Sequence, residues 1–133
     1  MAHLLNFLRL INLKVRLLTP LNQENVLISY KVEIAITPSK TGEFLEFCHF
    51  IANEFRDEMG YRTLQLYRGR DHAYDYVLLC EWESEESMEN HLRGDNFSLL
   101  KGGAVVLGQN FKLIVGESAR TDHSRWKRVV LPW

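Results

Sequence analysis

The chain has 133 residues, of which 46% are hydrophobic and 11% aromatic, and this composition suits a single domain with a buried core. Its formal net charge of −1 excludes the strongly basic character that holds nucleic acid or an anionic membrane, so we expect neither partner. Cys48 and Cys80 lie in apolar periodic segments without metal-ligand spacing, which indicates reduced thiols, a cytoplasmic location and no metal site.

The N-terminal segment predicts a helix followed by a strand. Residues 2–18 are apolar, but basic residues interrupt them and no cleavage site follows, so we expect part of the fold rather than a signal peptide or a membrane span. Apolar residues at helical spacing predict a short amphipathic helix over residues 2–11. Strict alternation of apolar and polar residues predicts a half-buried strand over residues 12–18.

The middle of the chain predicts a strand, a helix and a hairpin. Residues 26–36 are rich in β-formers and are apolar or amphipathic on both faces, which is typical of a strand covered on both sides. Three- and four-residue spacing of apolar residues predicts a helix over residues 40–58, with Phe44, Phe47, Cys48, Ile51 and Phe55 on one stripe. Residues 61–69 and 76–82 predict two strands that are close enough in sequence to pair as a hairpin.

The remaining elements are a helix, a turn and one or two strands. Ser84 predicts the N-cap of a helix that Gly94 ends. The segment "DNFSLLKGG" predicts only a helical turn, broken by its two glycines, Gly102 and Gly103. Residues 110–117 predict the last core strand, and "WKRVVL" in the basic tail can extend as another strand.

The order β-α-β-β-α-β predicts a ferredoxin-like α+β fold, with an antiparallel four-stranded sheet and both helices on one face. We expect a single domain over residues 1–133, with a core at 26–117, an N-terminal extension at 1–25 and a C-terminal tail at 118–133. The strands carry apolar residues on both faces, so the uncovered sheet face predicts a homodimer, sheet against sheet. Both termini are expected to add strands or straps to the core or to the partner.

Two stretches carry a resemblance to a known family. "MGYRTLQLYRG" stands where the family has a glycine and then a strand, and "EWESEESMENHLRGDNF" follows its tryptophan, acidic, helical and HL–F pattern. On these motifs, roughly residues 30–117 resemble the antibiotic biosynthesis monooxygenase domain family of dimeric α+β barrels. That family includes cofactor-independent monooxygenases that act on quinols or polyketide aromatics, heme-degrading members and proteins of unknown activity.

The resemblance assigns roles residue by residue. Trp82 stands where family members place a pocket tryptophan, and His91 stands where quinol-oxidising members carry a histidine. The polyketide-oxidising branch has an asparagine where this chain has Leu78 and a tyrosine where it has Met88. The heme-degrading branch needs an asparagine in its first strand and a later histidine ligand, which this sequence lacks at the matching places. The quinol-oxidising branch therefore fits best.

A pocket between sheet and helices follows from this resemblance, for a small aromatic or quinol-like ligand and without a cofactor, because such a substrate supplies its own electrons. The family places Trp82 toward the helices, and strand alternation then leaves Val77 and Leu79 for the dimer interface. His91 is the candidate catalytic base, since histidine titrates near neutrality. The candidate substrate-binding residues are Trp82, Tyr67, Tyr76, Met88, Phe97, Phe47 and Ile51.

Plainer interpretations stay open for the same residues. His91 also fits a packing or half-exposed surface residue, Trp82 an ordinary core residue, and the two tyrosines cross-strand pairs. The acidic run around residues 81–89 fits a solvated face better than a metal site, and the basic tail fits a strap between subunits better than a nucleic-acid contact. At the level of function, the alternatives are a non-catalytic small-molecule-binding or structural dimer and a non-oxidative enzyme.

Overall fold

The computed structural model describes residues 28–116 and 121–131. The helix and strand predicted before residue 26 lie outside this part of the chain. Within it, no helix is long and apolar enough to cross a membrane. The strands and helices, in chain order, are β1 (Ile28–Ile36), α1 (Thr41–Arg56), β2 (Tyr61–Gly69), β3 (Asp75–Trp82), α2 (Glu85–Leu92), α3 (Asp95–Leu107), β4 (Gly108–Val115) and β5 (Trp126–Val129).

All strand pairs are antiparallel, and the sheet order is β4-β1-β3-β2-β5. The predicted α+β fold with β-α-β-β-α-β order is therefore confirmed, and a fifth strand extends it. The prediction of a strand in "WKRVVL" is also confirmed, because Val129 pairs with Leu66 of β2. The basic tail thus adds a strand to its own core, which is one of the two arrangements predicted for the termini, the other being a strap to the partner.

The helices cover one side of the sheet, which we call the inner face. On β3, alternation places Leu78, Cys80 and Trp82 on the inner face, where they join the main core cluster. Helix α1 turns its apolar stripe, which includes Ile51 and Phe55, toward the same core. Burying this stripe stabilises α1 on the sheet, because most of the stability of a helix in a protein comes from packing its apolar face.

Helix α3 corrects one prediction. It runs from Asp95 to Leu107, straight through the two glycines that were expected to break a short turn. Its buried residues fall at spacings of 3, 4 and 3, so apolar burial outweighs a glycine cost of about 1 kcal/mol per residue. Gly103 also lies against Phe47 of α1, whose ring a Cβ at that position would overlap. The buried residues of α3 are Phe97, Leu100, Ala104 and Leu107.

The opposite side of the sheet, the outer face, has partial cover within the chain. Tyr67, Val77 and Trp126 form a second buried cluster, and Leu79 packs against it. The expectation that nothing in the chain covers this face was therefore wrong, because β5 brings Trp126 over the end of the β2–β3 hairpin. Two apolar residues of the outer face, Leu79 and Ile114, are only half-buried.

Candidate functional site

Helix α2 aims a histidine into the core. Ser84 caps the helix by accepting a hydrogen bond from the backbone N–H of Ser87 at 3.1 Å. With the helix start fixed in this way, Met88 and His91 lie one turn apart on the buried side. The His91 residue is only 1% exposed, and its ring centroid lies 4.3 Å from that of Trp82.

Both ring nitrogens of His91 are hydrogen-bonded. Nδ1 lies 2.8 Å from Glu58 Oε2, and Nε2 lies 2.6 Å from the hydroxyl oxygen of Tyr30. An ionised carboxylate can only accept, so Nδ1 carries the proton and Nε2 accepts from the Tyr30 hydroxyl. Tyr30, His91 and Glu58 form what we call the buried triad: a phenol, an imidazole and a carboxylate that two hydrogen bonds link in series.

Glu58 is itself held in place. It lies in the turn between α1 and β2, where its backbone N–H bonds to Phe55. Asn96 of α3 donates from Nδ2 to Glu58 Oε2 at 3.2 Å, and the same nitrogen lies 3.4 Å from the carbonyl oxygen of Glu54. The Glu58 side chain is 23% exposed, so the buried triad reaches solvent at this end.

Burial sets the protonation state of the buried triad. It lowers the pKa of His91, and the neighbouring Glu58 carboxylate opposes that shift. Burial also raises the pKa of Tyr30 well above its ordinary value, aided by the Cys80 thiol beside it. At neutral pH the proton therefore stays on Tyr30, and His91 is a neutral base with its acceptor nitrogen toward a phenol.

The indole of Trp82 contains an unsatisfied group. Its Nε1 is buried and has no partner at hydrogen-bonding geometry within the described residues, although it lies near enough to the Cys80 thiol to lower the thiol pKa. Burial dominates at Cys80 and raises the pKa of its thiol overall. An unpaired buried N–H costs about 1–3 kcal/mol, and such groups call for an explanation.

A cleft of about 370 Å³ borders the Glu58 end of the buried triad. Gly60, with φ of 86°, allows the turn after α1 to lie against α2, because a Cβ there would overlap Ser87. The Gly60 carbonyl accepts from the backbone N–H of Glu83 at 2.7 Å. The cleft carries three carboxylates, and it is lined by Glu58, Met59, Gly60, Glu83, Ser84, Glu86, Ser87, Asn90 and His91.

The structure brings several of the predicted site residues together. Four of them are buried together on the inner face: Trp82, Met88, His91 and Phe97. The ring centroid of Phe97 lies 5.6 Å from that of His91. Ile51 belongs to the same core. These rings, with Tyr30 and Phe55, fill the space that the resemblance assigned to a ligand.

Other predicted site residues lie elsewhere. Tyr67 is on the outer face, where its hydroxyl donates to Gln65 Oε1 at 2.7 Å, so it is on the opposite side of the sheet from Trp82. Tyr76 is on the inner face, 4.8 Å from Phe44 between ring centroids, but about 20 Å along β3 from Trp82. Phe47 is partly buried against α3 at Gly103.

Sequence reasoning missed Tyr30, Glu58 and Asn96. A signal for Tyr30 was present, because alternation in β1 places it inward with Val32, and a buried tyrosine hydroxyl needs a partner. No local pattern marks Glu58, which follows the end of a helix and meets His91 only through the fold. The described residues contain no group of three or more side chains suited to hold a metal ion.

Comparisons with known proteins agree with this architecture. A conserved protein from Methanosarcina mazei Go1 is 21% identical, with 68% of this chain and 91% of that chain covered and a TM-score of 0.62. A mutant of SnoaB, a cofactor-independent oxygenase from Streptomyces nogalater, is 17% identical, with 68% and 93% covered and a TM-score of 0.58. At these identities the likeness concerns the fold.

A search of curated proteins found no match. The family model described as antibiotic biosynthesis monooxygenase matches residues 27–100, which is more than half of the chain. The matched span runs from β1 into α3 and includes the whole buried triad with Trp82. The chain therefore belongs to the antibiotic biosynthesis monooxygenase family.

Proposed function

We propose that this chain is a cofactor-independent monooxygenase of a small aromatic or quinol-like substrate, with His91 as the base that takes the phenolic proton. The observation that carries the proposal is that His91 Nε2 lies 2.6 Å from the hydroxyl oxygen of a phenol, Tyr30. That distance is within the range a general base needs. The similarity in fold to a cofactor-independent oxygenase supports the same reaction class.

The chemistry requires little of the protein beyond the base and a dry site. A phenol with a free para carbon reacts with O₂ to give a quinone and water, and a hydroquinone with a free ring carbon gives a hydroxyquinone and water. In both reactions the substrate supplies all four electrons, so no cofactor is needed. Removing the phenolic proton makes the ring a better electron donor to O₂. His91 is suited to this step because burial lowers its pKa, keeping it neutral, while Glu58 stabilises the imidazolium that forms.

In this proposal the substrate hydroxyl takes the place of the Tyr30 hydroxyl at Nε2. The approach is from the β4 side, where Leu113 and Val115 are 38% and 45% exposed. In the sheet register Val115 pairs with Tyr30, so this apolar rim adjoins the phenol that has to move. Phe97 forms the wall beside the rim, next to Phe111.

The predicted binding residues then divide into two groups. Trp82, Met88 and Phe97 form the walls around the ring of the substrate, and Ile51 closes the back. Trp82 is well suited, because its unpaired N–H can donate to a substrate oxygen once the site opens. Tyr67, Tyr76 and Phe47 lie away from His91 and act in packing instead.

We also propose a homodimer that buries the rest of the outer face. Leu79 and Ile114 are half-buried there without cover from the helices, and an apolar sheet face favours a second copy. Both cysteines are buried and unpaired, which supports a reducing, cytoplasmic environment. Sedimentation at micromolar concentration should give a dimer, and a stable monomer would overturn this part of the proposal.

Oxygen uptake with a panel of hydroquinones and phenols tests the reaction. His91→Gln, which keeps a polar side chain of similar reach, should lower the rate by about 10²–10⁴-fold. The control is His72→Gln in the exposed β2–β3 loop, which should match the wild type. Equal rates for wild type and His91→Gln would remove His91 from the mechanism.

One observation favours a second function, that of a non-catalytic binding or structural protein. The rings around His91 are closely packed in this structure, so a ligand has no space there until Tyr30 moves. Absence of oxygen uptake across the whole panel, with ligand binding retained in a calorimetric titration, would favour this function over oxidation.

A further inference from the structure

The surroundings of His91 are mostly aromatic, with a charged group at one ring nitrogen. Its ring is enclosed by aromatic side chains, with centroid distances of 4.4 Å to Phe55 and 4.3 Å to Trp82. Its only described charged neighbour is Glu58, at Nδ1. Burial lowers the basicity of His91, so among its described neighbours Glu58 is the one charge that can oppose this loss and hold the proton on Nδ1.

We propose that Glu58 is a positioning residue for His91, and that Asn96 holds Glu58 in the required orientation. Glu58 keeps the ring proton on Nδ1, which leaves Nε2 as the acceptor that faces a phenol. It also provides the negative charge beside the imidazolium that forms when Nε2 takes a proton. The catalytic meaning of this role rests on the proposed function, but the role itself is measurable without substrate.

The alternative tautomer shows why the carboxylate matters. With the proton on Nε2, the ring would donate to the Tyr30 oxygen and present a lone pair to Glu58, which also has only lone pairs to offer. That arrangement sets two acceptors 2.8 Å apart in a buried site. The observed distance is therefore compatible only with Nδ1–H, and the carboxylate enforces it.

The proton balance of the step is simple. The substrate O–H bond breaks, the proton forms a bond with Nε2, and His91 becomes an imidazolium that keeps its Nδ1 proton toward Glu58. Nε2 returns this proton to the peroxide oxygen that leaves as water, and the second hydrogen of the water comes from the oxygenated ring carbon, whose C–H bond breaks as the quinone carbonyl forms. Glu58 takes and gives no proton, since its part is to hold the ring and to balance the positive charge.

The other groups near His91 do not supply this charge. Tyr30 of β1 and Cys80 of β3 are the titratable groups on the sheet side, and burial raises the pKa of both, so both stay neutral. Asn96 of α3 is uncharged. Glu86 of α2 lines the same cleft as Glu58, but it is exposed and makes no described bond to the ring.

A series at position 58 separates charge from shape. Glu58→Gln keeps an oxygen that accepts from Nδ1 but removes the charge, Glu58→Asp keeps the charge on a shorter side chain, and Glu58→Ala removes both. Glu86→Gln is the matched control, because it removes one carboxylate from the same cleft without touching His91. All are made in the full chain, and thermal unfolding shows which variants are folded.

Nitrogen-15 NMR of His91 is the readout that a merely structural role would not move. In wild type we expect the Nδ1–H tautomer, and in Glu58→Gln a pKa lower by about 1–3 units, since an opposite charge at this distance shifts a pKa by that amount. Glu58→Asp should stay nearer to wild type, and Glu86→Gln should not change. Glu58→Ala should give a mixture of tautomers.

The activity arm uses the same variants with the hydroquinone panel. Glu58→Gln should reduce kcat by about tenfold or more with KM little changed, and the acidic limb of the pH profile should move to lower pH. A Glu58→Gln protein that is folded and keeps the wild-type pKa of His91 would overturn the proposal, even if the wild type oxidises quinols. An inactive wild type with the expected NMR shifts would instead reject the proposed function and leave Glu58 as a positioning residue.

Discussion

Polar groups lie inside the core on the inner face of the sheet, whereas on the outer face they form pairs at or near the surface. The His91 side chain has no exposed area, yet both of its nitrogens are bonded. On the outer face, Thr63 donates to Glu81 at 2.9 Å in an exposed pair, and buried Tyr67 donates to half-buried Gln65.

The difference indicates where function resides. An exposed pair contributes about 0–1 kcal/mol, and water replaces either partner readily. A buried histidine needs every partner, and an apolar side chain of similar volume would fill its place at no such cost. The inner face therefore carries a feature that stability alone does not require, while the polar pairs of the outer face need no further explanation.

The largest expected effect compares Trp82 with Trp126, which are both buried. Trp82→Ala empties the centre of the inner face and should lower the free energy of unfolding by about 3–5 kcal/mol. Trp126→Ala acts on the small outer cluster and should cost less, about 1–3 kcal/mol. Urea unfolding at one fixed protein concentration measures both. An equal or larger loss for Trp126→Ala would contradict the division into a main core and a satellite cluster.

A second pair removes one hydroxyl from each face. Tyr30→Phe leaves Nε2 of His91 without a donor inside the core, so it should cost about 1–3 kcal/mol of stability. Tyr67→Phe frees a half-exposed Gln65 that water can satisfy, and it should cost about 0.5 kcal/mol or less. Chemical unfolding of both variants against wild type decides the matter. Similar losses would mean that the Tyr30 hydroxyl is not bonded as described.

A third, smaller effect depends on pH and belongs to the inner face alone. The folded pKa of His91 lies below its unfolded value of about 6.5, so the unfolded chain binds more protons between the two values. The contribution of neutral His91 to the free energy of unfolding should be fully present above about pH 6.5. As the pH drops toward the folded pKa, the free energy of unfolding should fall by up to about 1.4 kcal/mol per pH unit.

The control for this effect is the histidine of an exposed loop. His91→Gln should remove its share of the acid loss, while His72→Gln should leave the stability curve of the wild type unchanged in shape. Unfolding in urea from pH 7 down to about pH 5 measures the slope, within the range where native-state histidines titrate. A slope that survives His91→Gln would assign the acid loss to other groups.

Alternation and spacing predicted most of the fold because they report local geometry. The inward set of β3 follows from a period of two, and the inward pair Met88 and His91 follows from helical spacing. The same rule places Tyr67 and its neighbour Leu66 on different faces of the sheet, with Tyr67 on the face away from Trp82. The length of helix α3 was predicted too short because we took its two glycines as helix breakers. The helical spacing of its apolar residues is also visible in the sequence.

The buried triad could not be predicted in the same way. His91 meets Tyr30 across 61 positions of sequence and Glu58 across 33, so only the packing of α2 between β1 and the end of α1 brings them together. Family resemblance marked His91 and Trp82 because they lie in one continuous motif. It gave no reason to choose Glu58, whose role depends on a contact rather than on a pattern.

The central claim is that a substrate phenol replaces Tyr30 at Nε2 of His91. A crystal structure of the protein soaked with a hydroquinone under anaerobic conditions, where oxidation cannot proceed, tests it most directly. We expect a ligand hydroxyl within about 2.6–3.2 Å of Nε2, the ring beside Trp82 and Phe97, and the Tyr30 side chain displaced. A ligand bound elsewhere, with Tyr30 still donating to His91, would contradict the claim.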